Sequence, residues 1–203
     1  MTNPAAAGTA GRAQPGEWAA DLAACTASFT VRNFGLRSVT GRIPLTSASV
    51  TVGASGQPVS VRAELDARGI DTGHRRRDSD LRGPRFLATD RWPAITFQAS
   101  DVQATEAGWT IDGTLNVKDC HCPVRLNVNG PDVPPDDAAA PVNLRATARL
   151  DRRSAGVNAA PAFLIGHTIA LSPAVRLRPP ATIPGTPERQ APHTKAPANE
   201  GHR

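Results

Sequence analysis

The sequence predicts an all-β protein, an antiparallel sheet of about eight strands with one buried face and one short helix. Two observations carry this. Apolar and polar residues alternate with period two through most of residues 17–178, the spacing that sends successive strand side chains to opposite faces. Turn residues punctuate the alternation at Gly53 to Gly56, Thr105 to Gly108 and Gly130 to Pro135. One buried and one wet face is the pattern of antiparallel rather than parallel sheets.

Taken in order, residues 1–16 are Ala, Gly, Thr and Pro without periodicity. They bury too little apolar area to offset ordering entropy and are expected to form a disordered arm. Ala27, Phe29 and Val31 then alternate with Ser28, Thr30 and Arg32. Weaker alternation follows at Val39 to Leu45 and Ala48 to Val52, and a strong run at Val59, Val61, Ala63, Leu65 and Ala67. Residues 70–86 break the period and predict a helix, with Asp71 or Thr72 capping its first amides and Gly83-Pro84 stopping it. Further strands are expected at Ile95 to Ala99, Trp109 to Val117, Val124 to Val128, Leu144 to Leu150 and Ile169 to Leu177. Residues 179–203 hold six prolines among polar residues, from Pro179 to Pro197, and are expected to form a second disordered tail. One domain over 17–178 fits the length.

Eight such strands can close as a barrel or stack as a sandwich. The inward set favours the barrel because it is rich in small residues: Ala27, Gly41, Ala63, Ala67, Ala99, Gly113, Ala146 and Ala148. An eight-stranded barrel lined by such residues can leave an apolar hollow for one elongated ligand. The competing expectation is that the larger inward residues fill the space to ordinary core density.

Composition narrows the function classes. The formal net charge is +5, which suits an anionic partner. The basic residues are scattered, however, and the one compact run, Arg75-Arg76-Arg77, is followed by Asp78 and Asp80. An aromatic fraction of 4% without a single Tyr argues against a base-stacking surface, so no nucleic-acid partner is expected. No stretch approaches the roughly 18 apolar residues of a membrane helix. The first twelve residues lack the charged and apolar regions of a secretory signal, so a cytoplasmic setting with Cys25, Cys120 and Cys122 reduced is expected.

The sequence carries no recognisable catalytic motif. No Gly-x-Ser-x-Gly elbow occurs, and neither His74 nor His167 accompanies a nucleophile cue. The carboxylate pairs Asp78/Asp80 and Asp136/Asp137 fall in hydrophilic surroundings, and neither a phosphate loop nor a dinucleotide fingerprint is present. Cys120-His121-Cys122 offers soft-metal ligands without a second pair at matching spacing, and is expected to be a turn with reduced thiols. Arg77 and Asp78 are expected to form an ion pair on the helix that fastens it to a barrel end; the alternative role for Arg77 is donation to a ligand headgroup. No catalytic residue, cofactor or metal is therefore expected.

Specific stretches carry a resemblance. Trp18-Ala-Ala-Asp21, Phe29-Thr-Val31-Arg32-Asn-Phe-Gly35 and Val39-Thr-Gly41-Arg42 resemble the opening of the YceI-like family. Ile70-Asp71-Thr72-Gly73, Arg77-Asp78-Ser-Asp-Leu81-Arg82, Phe86 and Trp92-Pro93-Ala-Ile95-Thr-Phe97 resemble its central hallmark. Gly113 to Val117, Pro123-Val124, Asp151-Arg152, Gly156-Val157 and Ile165-Gly166 follow in family order. The resemblance implies a lipocalin-like barrel that holds a long isoprenoid, isoprenoid quinone or other lipid in its pore, with no catalytic residues. Family members usually carry His where this chain has Ala24, Asn33 and Asp80, and a His-Gly step at Lys118-Asp119. Those positions serve the ligand's polar end or the barrel rim, and the departures bear on headgroup chemistry.

The expected ligand-binding lining is Phe29, Val31, Val61, Leu65, Ile95, Phe97, Trp109, Ile111 and Leu115, with Phe86 closing one mouth. The expected function is a carrier for one long-chain lipid. The alternative is a non-enzymatic interaction protein with a filled core, whose basic surface meets an acidic partner or a membrane surface. A homodimer would form through an edge where the barrel fails to close.

Overall fold

The computed structural model describes residues 13–33, 37–130, 140–159 and 165–180. Its strands, in chain order, are β1 (Gly16–Ala20), β2 (Thr26–Asn33), β3 (Arg37–Arg42), β4 (Leu45–Val52), β5 (Pro58–Asp66), β6 (Ala94–Thr105), β7 (Gly108–Val117), β8 (Cys120–Asn129), β9 (Val142–Asp151) and β10 (Ile165–Arg178). The helix α1 (Arg75–Arg82) lies between β5 and β6. Apart from residues 13–16 and 179–180, the expected arm and tail lie outside the described residues, as do Asp136 and Asp137. No helix among the described residues is long and apolar enough to cross a membrane.

Neighbouring strands run β1-β4-β5-β6-β7-β8-β9-β10, and β1 pairs back onto β10, closing an eight-stranded antiparallel barrel. The expected barrel is therefore present, although the strands number ten. The β2–β3 hairpin continues from β10. The long β10 divides one edge between two partners: Ile165 to Ala174 pair with β2, while Leu177 and Arg178 pair with Ala20 and Ala19 of β1. β1 is the closing stave, and it shows no readable alternation because it is five residues long with only Trp18 fully buried.

β6 extends well beyond the alternation that predicts it. Ala99 opposes Gly113 and Asp101 opposes Asp112, so one extra residue bulges between them. A bulge flips the phase of the side chains, and the inward set changes from Ile95, Phe97 and Ala99 to Val102, which opposes Ile111. The expected helix over 70–86 is observed as α1 alone, and its cap is neither Asp71 nor Thr72. His74 caps it, its Nδ1 accepting from the Arg77 amide at 3.3 Å. Asp71 instead accepts from the Gly73 amide at 2.8 Å within the preceding turn.

Two apolar clusters fill the ends of the barrel. Trp18, Val52 and Leu177 close the end where β1 joins β4 and β10, and the Trp18 indole donates to the Gln14 carbonyl at 2.8 Å. Ala67, Ile70, Leu87, Ile95 and Val117 pack at the other end, beneath α1 and its flanking turns.

Candidate functional site

Between these two clusters lies an internal cavity of about 310 Å³. Each wall strand contributes its inward row: Ile169, Leu171, Pro173, Val175 and Leu177 from β10 are representative. Of the sequence-predicted residues, Phe29, Val31, Val61, Leu65, Ile95, Phe97, Ile111 and Leu115 lie in the wall, and Phe86 joins it from the segment after α1. Trp109 does not. It packs at the edge of the core, where its indole donates to Gln57 Oε1 at 3.4 Å. Sequence reasoning missed Ile70, Leu81 and Leu87, which roof the cavity from α1 and its flanks. Their period-two signal is lost in a turn and a single short helix.

The small inward residues divide into two groups. Ala27, Ala63 and Ala146 are in the wall, together with Ala48, which opposes Ala63 across β4–β5. Ser28, Ser49 and Arg62, each next in sequence to one of these alanines, also line the cavity. Gly41 and Gly113 make no hollow. A Cβ on Gly41 would collide with the Phe29 ring, and one on Gly113 would meet the Phe97 ring, so each glycine makes room for a phenyl group. Ala67 and Ala148 are buried in the surrounding core outside the wall, and Ala99 packs against that core.

Arg152 is the charged wall residue with a buried side chain, at 3% exposure. Its nitrogens donate to backbone carbonyls: Nη1 to Val157 at 2.6 Å, Nε to Gly166 at 3.2 Å and Nη2 to Ile165 at 3.3 Å. The guanidinium thus pins the turn after β9 to the start of β10. Nearby, Lys118 adopts φ +56° and donates from Nζ to the Gly156 carbonyl at 2.7 Å and the Phe86 carbonyl at 3.0 Å. The two cations tie three loops together at the α1 end.

The helix is fastened differently from the expectation. Arg77 and Asp78 do not pair; both converge on Thr72. The Thr72 hydroxyl donates to Asp78 at 2.5 Å and accepts from Arg77 Nε at 2.6 Å, while the Thr72 amide donates to Asp78 at 3.0 Å. Arg82 adds bonds to the carbonyls of Arg68 and Ile70 at 2.6 and 2.8 Å. Asp78 is buried rather than hydrophilic in its surroundings. Burial opposes its ionisation, but the bonds from Thr72 and the His74 amide, with the charge of Arg82, outweigh that and hold its carboxyl below the usual value of 3.8. Arg77 is not in the cavity wall.

Cys120, His121 and Cys122 form the start of β8, not a turn; the turn is Lys118-Asp119. Cys122 is fully buried. Burial, reinforced by Asp119, pushes the Cys120 thiol up, which keeps it protonated and a poor nucleophile or metal ligand at neutral pH. His121 points away and bonds Asn116 at 2.6 Å. Among the described residues no three His, Cys, Asp or Glu side chains converge on a metal-sized site. Ala24 and Asp80 are exposed and outside the wall.

The profile of the YceI-like domain matches residues 18–177. A UPF0312 protein of Yersinia pestis (strain Pestoides F) is 32% identical over 66 residues, 32% of this chain and 34% of the relative. The UPF0312 protein YE1254 of Yersinia enterocolitica matches to the same extent. The matched stretch thus spans about a third of these curated relatives. Similar solved structures include BcnA of Burkholderia cenocepacia, with a TM-score of 0.65 and 16% identity over 77% of this chain and 98% of that one. A polyisoprenoid binding domain from Saccharophagus degradans superposes with a TM-score of 0.57 and 12% identity, covering 82% and 100%. The YceI protein of Campylobacter jejuni gives 0.57 and 15%, covering 70% and 85%. At these identities the likeness is one of fold.

Proposed function

The chain belongs to the YceI-like family, and from that premise we propose that its barrel is a carrier that takes up one apolar lipid chain, isoprenoid or isoprenoid quinone in class, and shields it from water without a catalytic step. The observation that carries this reading is the cavity itself, roofed by Ile70, Leu81, Phe86 and Leu87 and walled by inward apolar rows. Arg152, the buried charge in its wall, spends three donors on backbone carbonyls. The interior therefore favours chain over headgroup. The polyisoprenoid-binding domain among the similar structures supports the same class of ligand.

Size sets what the cavity holds as it stands. Its volume is about 310 Å³, near the lower end of the ~300–1,000 Å³ range of ligand pockets. An apolar cavity of about 150 Å³ accommodates benzene, so this one accommodates about a dozen carbons. At about 0.8 kcal/mol per methylene, that chain gains roughly 10 kcal/mol before the costs of association. A longer chain would have to widen the barrel or emerge from it.

A homologous series of straight-chain and isoprenoid alcohols, competed against a polarity-sensitive dye, tests the reading. Affinity should rise about fourfold per added methylene and level off near a dozen carbons. Affinity independent of chain length, or no displacement at all, would contradict it.

A further inference from the structure

The sheet order gathers arginines that are scattered along the sequence. Strands β9, β10, β2 and β3 are consecutive neighbours. Together they carry Arg32, Arg37, Arg42, Arg145, Arg149, Arg176 and Arg178, and a single acid, Asp151, whose carboxylate is bonded by Arg153. Beyond β8, which carries Arg125 paired with Asp112, strands β5 to β7 carry Glu64, Asp66, Asp101 and Asp112, with Arg62 as their basic residue. The barrel is polarised. Arg42 and Arg178 are paired with Asp71 and Asp21. Arg32, Arg149 and Arg176 face outward, are exposed and form no ion pair among the described residues, whereas Arg37 shares the other face of the hairpin with Val39 and Gly41.

The centre of this face is shallow. In register across the sheet, Arg149 opposes Ala170, which opposes Thr30, and Arg145 opposes Ala174, which opposes Thr26. Small neutral side chains thus lie between the arginines, and among the described residues of this face no aromatic ring stands to stack a base. At the end of β10, the turn Leu22–Ala24 is exposed along its whole length, and Leu22, at 43%, is one of two large exposed apolar residues among the described residues. It is tied to β10 by the Asp21 amide donating to the Arg176 carbonyl at 2.8 Å. The opposite side of β10 is the cavity wall.

We infer that this face docks the protein on an anionic lipid bilayer, with the three outward arginines Arg32, Arg149 and Arg176 meeting headgroup charge and Leu22 entering the apolar boundary. A flat basic surface beside an exposed apolar turn suits a bilayer: the charges draw it to anionic headgroups, and the Leu contributes a small buried area. The inference goes beyond the carrier reading and stands whether or not a chain occupies the barrel.

Flotation of the full chain with phosphatidylcholine vesicles, with and without phosphatidylglycerol, tests it. Binding should require the anionic lipid and weaken as salt rises. The pair R149E/R176E should weaken partitioning by about tenfold or more, because each basic residue near the surface matters individually. The pair R62E/R68E makes the same change in net charge on and just after β5, across the barrel from β9, and should leave most binding intact. L22S should weaken binding while leaving its salt dependence unchanged. Equal losses in the two pairs, binding indifferent to phosphatidylglycerol, or R149E/R176E abolishing binding to a DNA duplex but not to vesicles would each overturn the inference. Unchanged thermal melting confirms that the variants are folded.

Discussion

Gly41 lies directly beneath the ring of Phe29, its partner across the β2–β3 ladder, so closely that a single added methyl group would collide with the ring. The pair sets how far Phe29 leans over the hairpin and into the cavity wall. A diagonal version occurs on the opposite side of the barrel, where Gly113 opposes Ala99 and lies beneath the ring of Phe97.

Gly41→Ala should therefore destabilise the protein by about 1–3 kcal/mol, the usual cost of overpacking, as measured by urea denaturation. In a Phe29→Leu background the same change should cost less, because the ring is gone and the remaining close approach is to Thr72 Cγ2 at 2.8 Å. Equal costs in the two backgrounds would show that the two residues are not coupled.

Ala146 lies in the cavity wall. Ala146→Phe should occupy the space in which a chain would sit, lowering affinity for a dodecyl alcohol by tenfold or more while leaving the melting temperature unchanged or higher. Undiminished uptake by the folded variant would place the chain elsewhere.

Asp78 makes stability depend on pH in a definite direction. Its folded value lies below the usual 3.8. The ionised form therefore stabilises the fold above 3.8, and this contribution fades as pH falls from 3.8 through the lower folded value. Asp78→Asn should cost about 1.5–3 kcal/mol at neutral pH, the scale of hydrogen bonds to a charged group. The gap between the two proteins should narrow below pH 3.8. A gap that widens on acidification would contradict the assignment.

The thiols should differ in accessibility. Cys122 is fully buried, and burial raises the Cys120 pKa. Both should resist alkylation in the native protein and react once guanidinium unfolds it. Cys25 forms no part of that core; its sulfur accepts from the Arg176 amide at 3.3 Å at the margin of β10. It should react first.

The sequence carried the strands with long, uninterrupted alternation, and with them most of the wall. It failed where that signal is short or is interrupted. β1 offers one buried residue, Trp18. The bulge in β6 reverses the alternation halfway along the strand. The turn at Lys118 has no turn-forming residue at its positive φ, so it shifted the expected turn onto Cys120-His121-Cys122. The cap is a His, outside the usual set of Ser, Thr, Asp and Asn. Small inward residues suggest space, yet at Gly41 and Gly113 the space is taken by rings from adjacent strands. The basic face was invisible for a different reason: its arginines are distant in the chain and become neighbours only through the closure of β10 onto β2.

The most direct test of the carrier account is organic extraction of the purified full chain, expressed in a host rich in isoprenoids, with mass spectrometry of what copurifies. The account predicts a chain lipid at close to one equivalent, lost from Ala146→Phe under the same conditions. An empty extract from the folded wild-type protein, repeated after incubation with isoprenoid quinone, would contradict it.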